Sequence, residues 1–120
     1  MLKIYTAQYR YNGPDRVDIT YKTEDPFGDI FKPTANLVFA YKENRINEQI
    51  YSEHYRQLML RSYYDNQHRW DSMLMRRSVT FVCYCPAGEF CHRLLLANFF
   101  VKLGGQYIRE RKEISKKVWE

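Results

Sequence analysis

The segment Ser78-Val79-Thr80-Phe81-Val82-Cys83-Tyr84-Cys85 constrains this 120-residue chain more than any other. It is almost entirely apolar or β-branched, the pattern of a central strand buried on both faces. A Pro/Gly loop follows at 86–90. Residues 91–103 then read as a helix carrying Leu94, Leu95, Leu96, Ala97, Phe99, Phe100 and Val101. Such a helix is apolar over most of its circumference and must be deeply packed. Gly104-Gly105 supplies the left-handed stop expected of glycine. Strand, loop and buried helix together make the basic unit of an α/β sheet.

The rest of the chain fits around that unit. Residues 2–10 alternate as a strand, with Leu2, Ile4 and Thr6 against Lys3, Tyr5 and Ala7. Asn12-Gly13-Pro14-Asp15 marks a turn, and residues 17–22 form a second short strand with Val17, Ile19 and Tyr21 on one face. The link between the two is too short for a crossover helix. They therefore form a hairpin, or an irregular link joins strands that are not neighbours. Residues 23–34, with Pro26, Gly28 and Pro33, read as an ordered loop over the surface. Thr34 can cap a short helix from Ala35 to near Asn44. Asn47 can cap the next, with Glu48 in its first turn. Ile50, Tyr51, Tyr55, Leu58 and Met59 recur at helical spacing, as do Tyr63, Gln67, Trp70, Met73 and Leu74. One bent helix or two accounts for this stretch. Residues 106–109 give a last strand, and 110–120 a polar tail or short helix. The expectation is one compact α/β domain over residues 1–120, with a central, largely parallel (mixed) sheet flanked by helices.

Several function classes fall away early. No run approaches the roughly 18 apolar residues of a membrane span. Met1-Leu2-Lys3-Ile4-Tyr5 opens on a strand pattern rather than a secretory signal. The three cysteines, Cys83, Cys85 and Cys91, are odd in number and clustered, which argues for a reducing compartment over a disulfide framework. A cytoplasmic location without a membrane partner is expected. The net charge of +5 favours phosphate-bearing partners, or simply keeps a small protein soluble. Its even spread ranks nucleic acid below other partners. There is no Walker loop, GxGxxG, HExxH or serine elbow.

Chemistry concentrates where the strand ends and the buried helix begins. Ligands of α/β sheets bind beyond the carboxyl ends of the strands, and a helix N-terminus attracts anions. Cys91-His92-Arg93 places a thiol, a proton carrier and a permanent cation at that corner. A thiol there, beside Arg93, is expected to have a depressed pKa. Each residue also has a structural alternative. Cys83 reads as core, Cys91 as a helix opener, His92 as a cap, and Arg93 as a tie to a carboxylate such as Asp18. The candidate set is Cys91 as nucleophile, with Cys85 the alternative, and His92 as acid/base. Arg93 would hold an anion, Tyr9, Tyr11 or Tyr84 would stack on a base, and Glu89 lies on the loop. A zinc site built from Cys83, Cys85, Cys91 and His92 is disfavoured by the one-residue gap between Cys83 and Cys85, so no metal is expected.

The run from Val79 to Cys85, followed by Cys91-His92-Arg93-Leu94-Leu95-Leu96-Ala97, resembles the hallmark of the domain-of-unknown-function 488 family (YeaO-like proteins). Ile4-Tyr5-Thr6 and Asp18-Ile19-Thr20 resemble its first strands. The resemblance implies a compact α/β domain with a largely parallel sheet and a site around His92, Arg93 and Asp18, with Asp18 joining the catalytic group. It implies no settled reaction and leaves any cofactor open. Larger members carry a helix between the first two strands, replaced here by residues 12–16, and an arginine two positions beyond the aspartate, where this chain has Thr20. Short forms resemble those carried by phages. The expected function is binding or processing of a nucleotide or nucleoside-phosphate derivative. The alternatives are a phage-borne modulator that sequesters a metabolite or binds a host protein, and a nucleic-acid-binding protein.

Overall fold

In the computed structural model, residues 1–85 and 90–112 are described. Four strands, β1 (Lys3–Gln8), β2 (Arg16–Asp18), β3 (Ser78–Cys83) and β4 (Gln106–Arg111), form one sheet in the order β2-β3-β1-β4. Every pairing is parallel, so the sheet is α/β with no antiparallel strand among the described residues. β1 and β2 are not a hairpin, because β3 lies between them. Four helices complete the fold: α1 (Ala35–Lys42), α2 (Glu48–Asp65), α3 (Gln67–Leu74) and α4 (His92–Lys102).

The two helical crossovers, β2 to β3 and β3 to β4, travel the same way along the sheet. With the right-handed sense such crossovers take, both lie over one face. The side chains agree. Ile4, Val17, Val79, Phe81 and Cys83 join the core with Leu96 and Phe100 of α4. The opposite face is covered by the link at 9–15. There Asp15 accepts hydrogen bonds from Tyr11 and Ser78, and Arg111 lies 3.6 Å from the centre of the Tyr5 ring.

The caps explain where the helices start and stop. Thr34 Oγ1 accepts from the Leu37 amide and Asn47 Oδ1 from the Ile50 amide. α1 ends with Asn44 in the left-handed region (φ 59°), and the Arg45 amide returns to the Ala40 carbonyl. α4 ends the same way, with Gly104 at φ 109° and the Gly105 amide on the Phe100 carbonyl. The break at Asn66 makes α2 and α3 two helices.

Three sequence expectations are corrected. β2 stops at Asp18, because Asp18 Oδ1 turns back to accept from the Thr20 amide and competes with further ladder bonds. β4 runs on to Arg111, so Glu110 is a strand residue and not tail. The stretch 23–34 does more than run over the surface. Phe31 is fully buried at the centre of the core, edge-on to Trp70, Phe81 and Phe100. Tyr55 Oη fixes it by donating to the Phe31 carbonyl at 2.7 Å. Among the described residues, no helix is long and apolar enough to cross a membrane.

Candidate functional site

All four strands point their carboxyl ends the same way, and the site lies beyond the ends of β2 and β3. Cys83 closes β3 with its side chain on the helix face. The chain bends at 84–85, and Cys91 is the residue that caps α4. Two cysteines at i and i+2 of a continuous strand would stand almost 7 Å apart along the chain. Because the strand has ended, Cys85 folds back, and the sulfurs of Cys83, Cys85 and Cys91 all lie within 4.8 Å of one another.

Arg93, in the first turn of α4, holds this arrangement. It is fully buried. Its Nη1 donates to Cys83 Sγ at 3.0 Å and to the Cys85 carbonyl at 2.9 Å. Its Nη2 and Nε donate to Glu110 Oε2 and Oε1 at 2.8 and 3.2 Å. Glu110 is in turn hydrogen-bonded by Thr6 Oγ1, which also pairs with Tyr107 Oη at 2.8 Å. The partner of Arg93 is therefore Glu110 rather than Asp18, and its charge is matched inside the protein. Arg93 acts as a brace behind the sulfurs.

This setting ranks the thiols. At Cys83, burial opposes ionisation. Hydrogen bonds from Cys85 and Cys91, with the charges of His92 and Arg93, outweigh it and hold the thiol well below its ordinary value. At Cys91, burial and the nearness of Cys83 and Cys85 push the thiol up. Cys85 rises to about 11, mainly through its bond to Cys83. The expectation of a depressed Cys91 is thus corrected. The helix terminus does favour a thiolate, but Arg93 directs Nη1 to the Cys83 sulfur and Nε and Nη2 to Glu110.

His92 is buried, with Nε2 2.8 Å from the Ile19 carbonyl oxygen. A carbonyl only accepts, so Nε2 carries the proton, and Nδ1 faces Cys91 Sγ at 3.7 Å.

A pocket of about 70 Å³ lies in front of the sulfurs. Cys83, Cys85, Cys91 and His92 form its chemical wall. Tyr21, Tyr41, Tyr51, Tyr84 and Phe90 form its aromatic walls, with Thr20 and Lys42 also lining it. Of the residues singled out from sequence, Cys85, Cys91, His92 and Tyr84 line this pocket. Asp18, Arg93, Tyr9 and Tyr11 do not. Asp18 is buried against the Thr20 amide. Tyr9 stacks on Tyr84 at 4.3 Å and beneath Arg16, and Tyr11 belongs to the opposite face with Asp15. Glu89 lies outside the described residues. Sequence reasoning missed Cys83, Tyr21, Tyr41, Lys42, Tyr51 and Phe90 as pocket residues. The one available signal was the tyrosine spacing at 41 and 51, which also suits ordinary helix packing.

The family model described as the active DUF488-N3 subclade matches residues 1–104, and the chain belongs to the DUF488 family. The matched span holds all three cysteines, His92 and Arg93, and ends before β4, which carries Glu110. No curated protein and no solved structure matches the chain.

Proposed function

We propose that the pocket beyond β3 binds and processes a nucleotide or nucleoside-phosphate derivative. One observation carries this reading: five aromatic side chains line a small pocket together with three cysteines and a histidine, at the strand ends of a parallel sheet. Aromatic walls suit the flat face of a base. An apolar cavity of about 150 Å³ holds benzene, so a pocket of about 70 Å³ takes the edge of a planar ring and not a whole nucleotide. The phosphates then stay at the mouth, where Lys42 is exposed. Arg93 supports the sulfurs and leaves anion contact to that rim. His92 Nδ1 and the thiols are the groups that meet the inserted edge. The family description, an active subclade, favours turnover over passive binding.

Thermal shift tests the reading, using nucleosides, nucleoside monophosphates and inorganic phosphate on the wild type, Tyr84→Ala and Lys42→Ala. A nucleotide that stabilises the wild type, with a smaller shift in Tyr84→Ala and a loss of the phosphate-dependent part in Lys42→Ala, supports it. No nucleotide-dependent shift in the wild type, or equal shifts in all three proteins, overturns it.

A further inference from the structure

We propose that Cys83, Cys85 and Cys91 form a binding site for one thiophilic divalent cation, Zn²⁺ in the cell, with a fourth coordination position open to the pocket. The three sulfurs come from a strand end, a bend and a helix cap, yet all lie within 4.8 Å of one another. A tetrahedral zinc with Zn–S bonds of about 2.3 Å needs sulfurs about 3.8 Å apart. Closing each edge by an ångström or less is a side-chain adjustment that leaves the backbone in place. The one-residue gap that disfavours a metal in the sequence loses its force once the strand is seen to end at Cys83.

Among the described residues, the mutually close group holds the three cysteines alone, and His92 Nδ1, 3.7 Å from Cys91 Sγ, stands beside the open position without joining it. Three protein ligands with the remaining position facing a pocket is the pattern of a site that binds water or substrate. A structural zinc is closed by four protein ligands. The surroundings suit bound thiolates. Arg93 Nη1 donates to Cys83 Sγ, and Glu110 fixes Arg93 from behind; such outer partners orient ligands and spread their charge. All three cysteines line the same pocket, so an ion that enters it reaches all three sulfurs. Binding transfers the thiol protons to solvent as the metal–sulfur bonds form.

The inference does not depend on the nucleotide reading, and its test contains no nucleotide. The reduced, metal-free full chain is titrated with Co²⁺ and followed by absorption. One Co²⁺ per chain with a thiolate-to-cobalt charge-transfer band and tetrahedral ligand-field bands, displaced by one equivalent of Zn²⁺, is expected. Cys85→Ser and Cys91→Ser should each weaken Co²⁺ binding by more than about 100-fold, the upper end of what outer-partner changes cost. Circular dichroism checks that each variant is folded. Absence of the charge-transfer band in the wild type overturns the site, as does a band that survives unchanged in a folded Cys85→Ser protein. The wild-type titration tests the site by itself and remains decisive if a variant fails to fold.

Discussion

Arg93 in α4 and Glu110 in β4 form a two-point ion pair in which the arginine side chain is 1% exposed and the glutamate 15%. The pair ties the helix that carries the Cys-His-Arg sequence to the last strand of the sheet. Its third and fourth bonds, to Cys83 and the Cys85 carbonyl, carry that tie into the pocket wall.

Removing one partner of this pair should be costly. Glu110→Ala leaves a buried guanidinium without its anion and is expected to lower stability by about 3–5 kcal/mol. Replacing both partners with apolar residues, Arg93→Met with Glu110→Leu, should recover much of that loss while disturbing the cysteine cluster. Urea denaturation of the two proteins checks this. A Glu110→Ala midpoint equal to wild type would show that the pair contributes nothing.

Asp15 makes stability sensitive to acid. Burial pushes its carboxyl up, but hydrogen bonds from Tyr11, Ser78 and Thr80 and the Arg111 cation together hold it below its ordinary value. A carboxyl lowered in the folded state stabilises fully above the unfolded-state pKa, near 3.9, and loses that contribution as pH falls through the folded value. The stability gap between wild type and Asp15→Asn should therefore be constant above about pH 5 and shrink below about pH 4. Urea midpoints measured across that range decide it, and a gap that stays constant to the lowest pH refutes the assignment.

Gly28 is required by space. A Cβ at this position would stand 1.9 Å from the Asp18 carbonyl oxygen, a backbone atom that cannot swing away. Gly28→Ala should cost on the order of 1–3 kcal/mol and displace the end of β2. A melting temperature unchanged from wild type would contradict this.

Phe31 anchors the irregular stretch between β2 and α1. Phe31→Ala opens a cavity bounded by Trp70, Phe81 and Phe100, and should lower stability by about 3–5 kcal/mol. Trp70, edge-on to Phe31 and stacked on Phe100 at 4.8 Å, loses a ring neighbour, so the near-UV circular dichroism spectrum should change in the folded variant. An unaltered spectrum together with an unchanged denaturation midpoint would rule out this role.

Local chemistry was legible in the sequence. Thr34, Asn47 and Gly104 stop or start helices where their side chains or backbone freedom require it. The apolar run at 78–83 is the inner strand its composition demands. What depended on distant partners was not legible. Glu110 reads as part of a charged tail because a strand residue bonding a buried arginine looks like any surface glutamate. Phe31 shares a stretch of Pro, Gly and Asp with Phe27, and nothing local says that Phe31 is core while Phe27 is exposed. Cys83 and Cys85 look like alternate residues of one strand until the strand is seen to end between them. Of the tyrosines offered as base-stacking residues, Tyr11 is kept from the sulfurs because it bonds Asp15 over the other face of the sheet, and Tyr9 stacks behind the pocket residue Tyr84.

The pairing of strands has a consequence for how the chain is made. Lys3 lies beside Ser78 on one side and Gln106 on the other, and Arg16 beside Thr80. No two adjacent strands are close in sequence, so the sheet cannot zip from a turn. Contacts of such long separation form slowly. β1 leaves the ribosome before either of its neighbours exists, and the helices between must gather first. A nascent chain stalled before residue 78 is therefore expected to hold α2 and α3 with no sheet for them to cover.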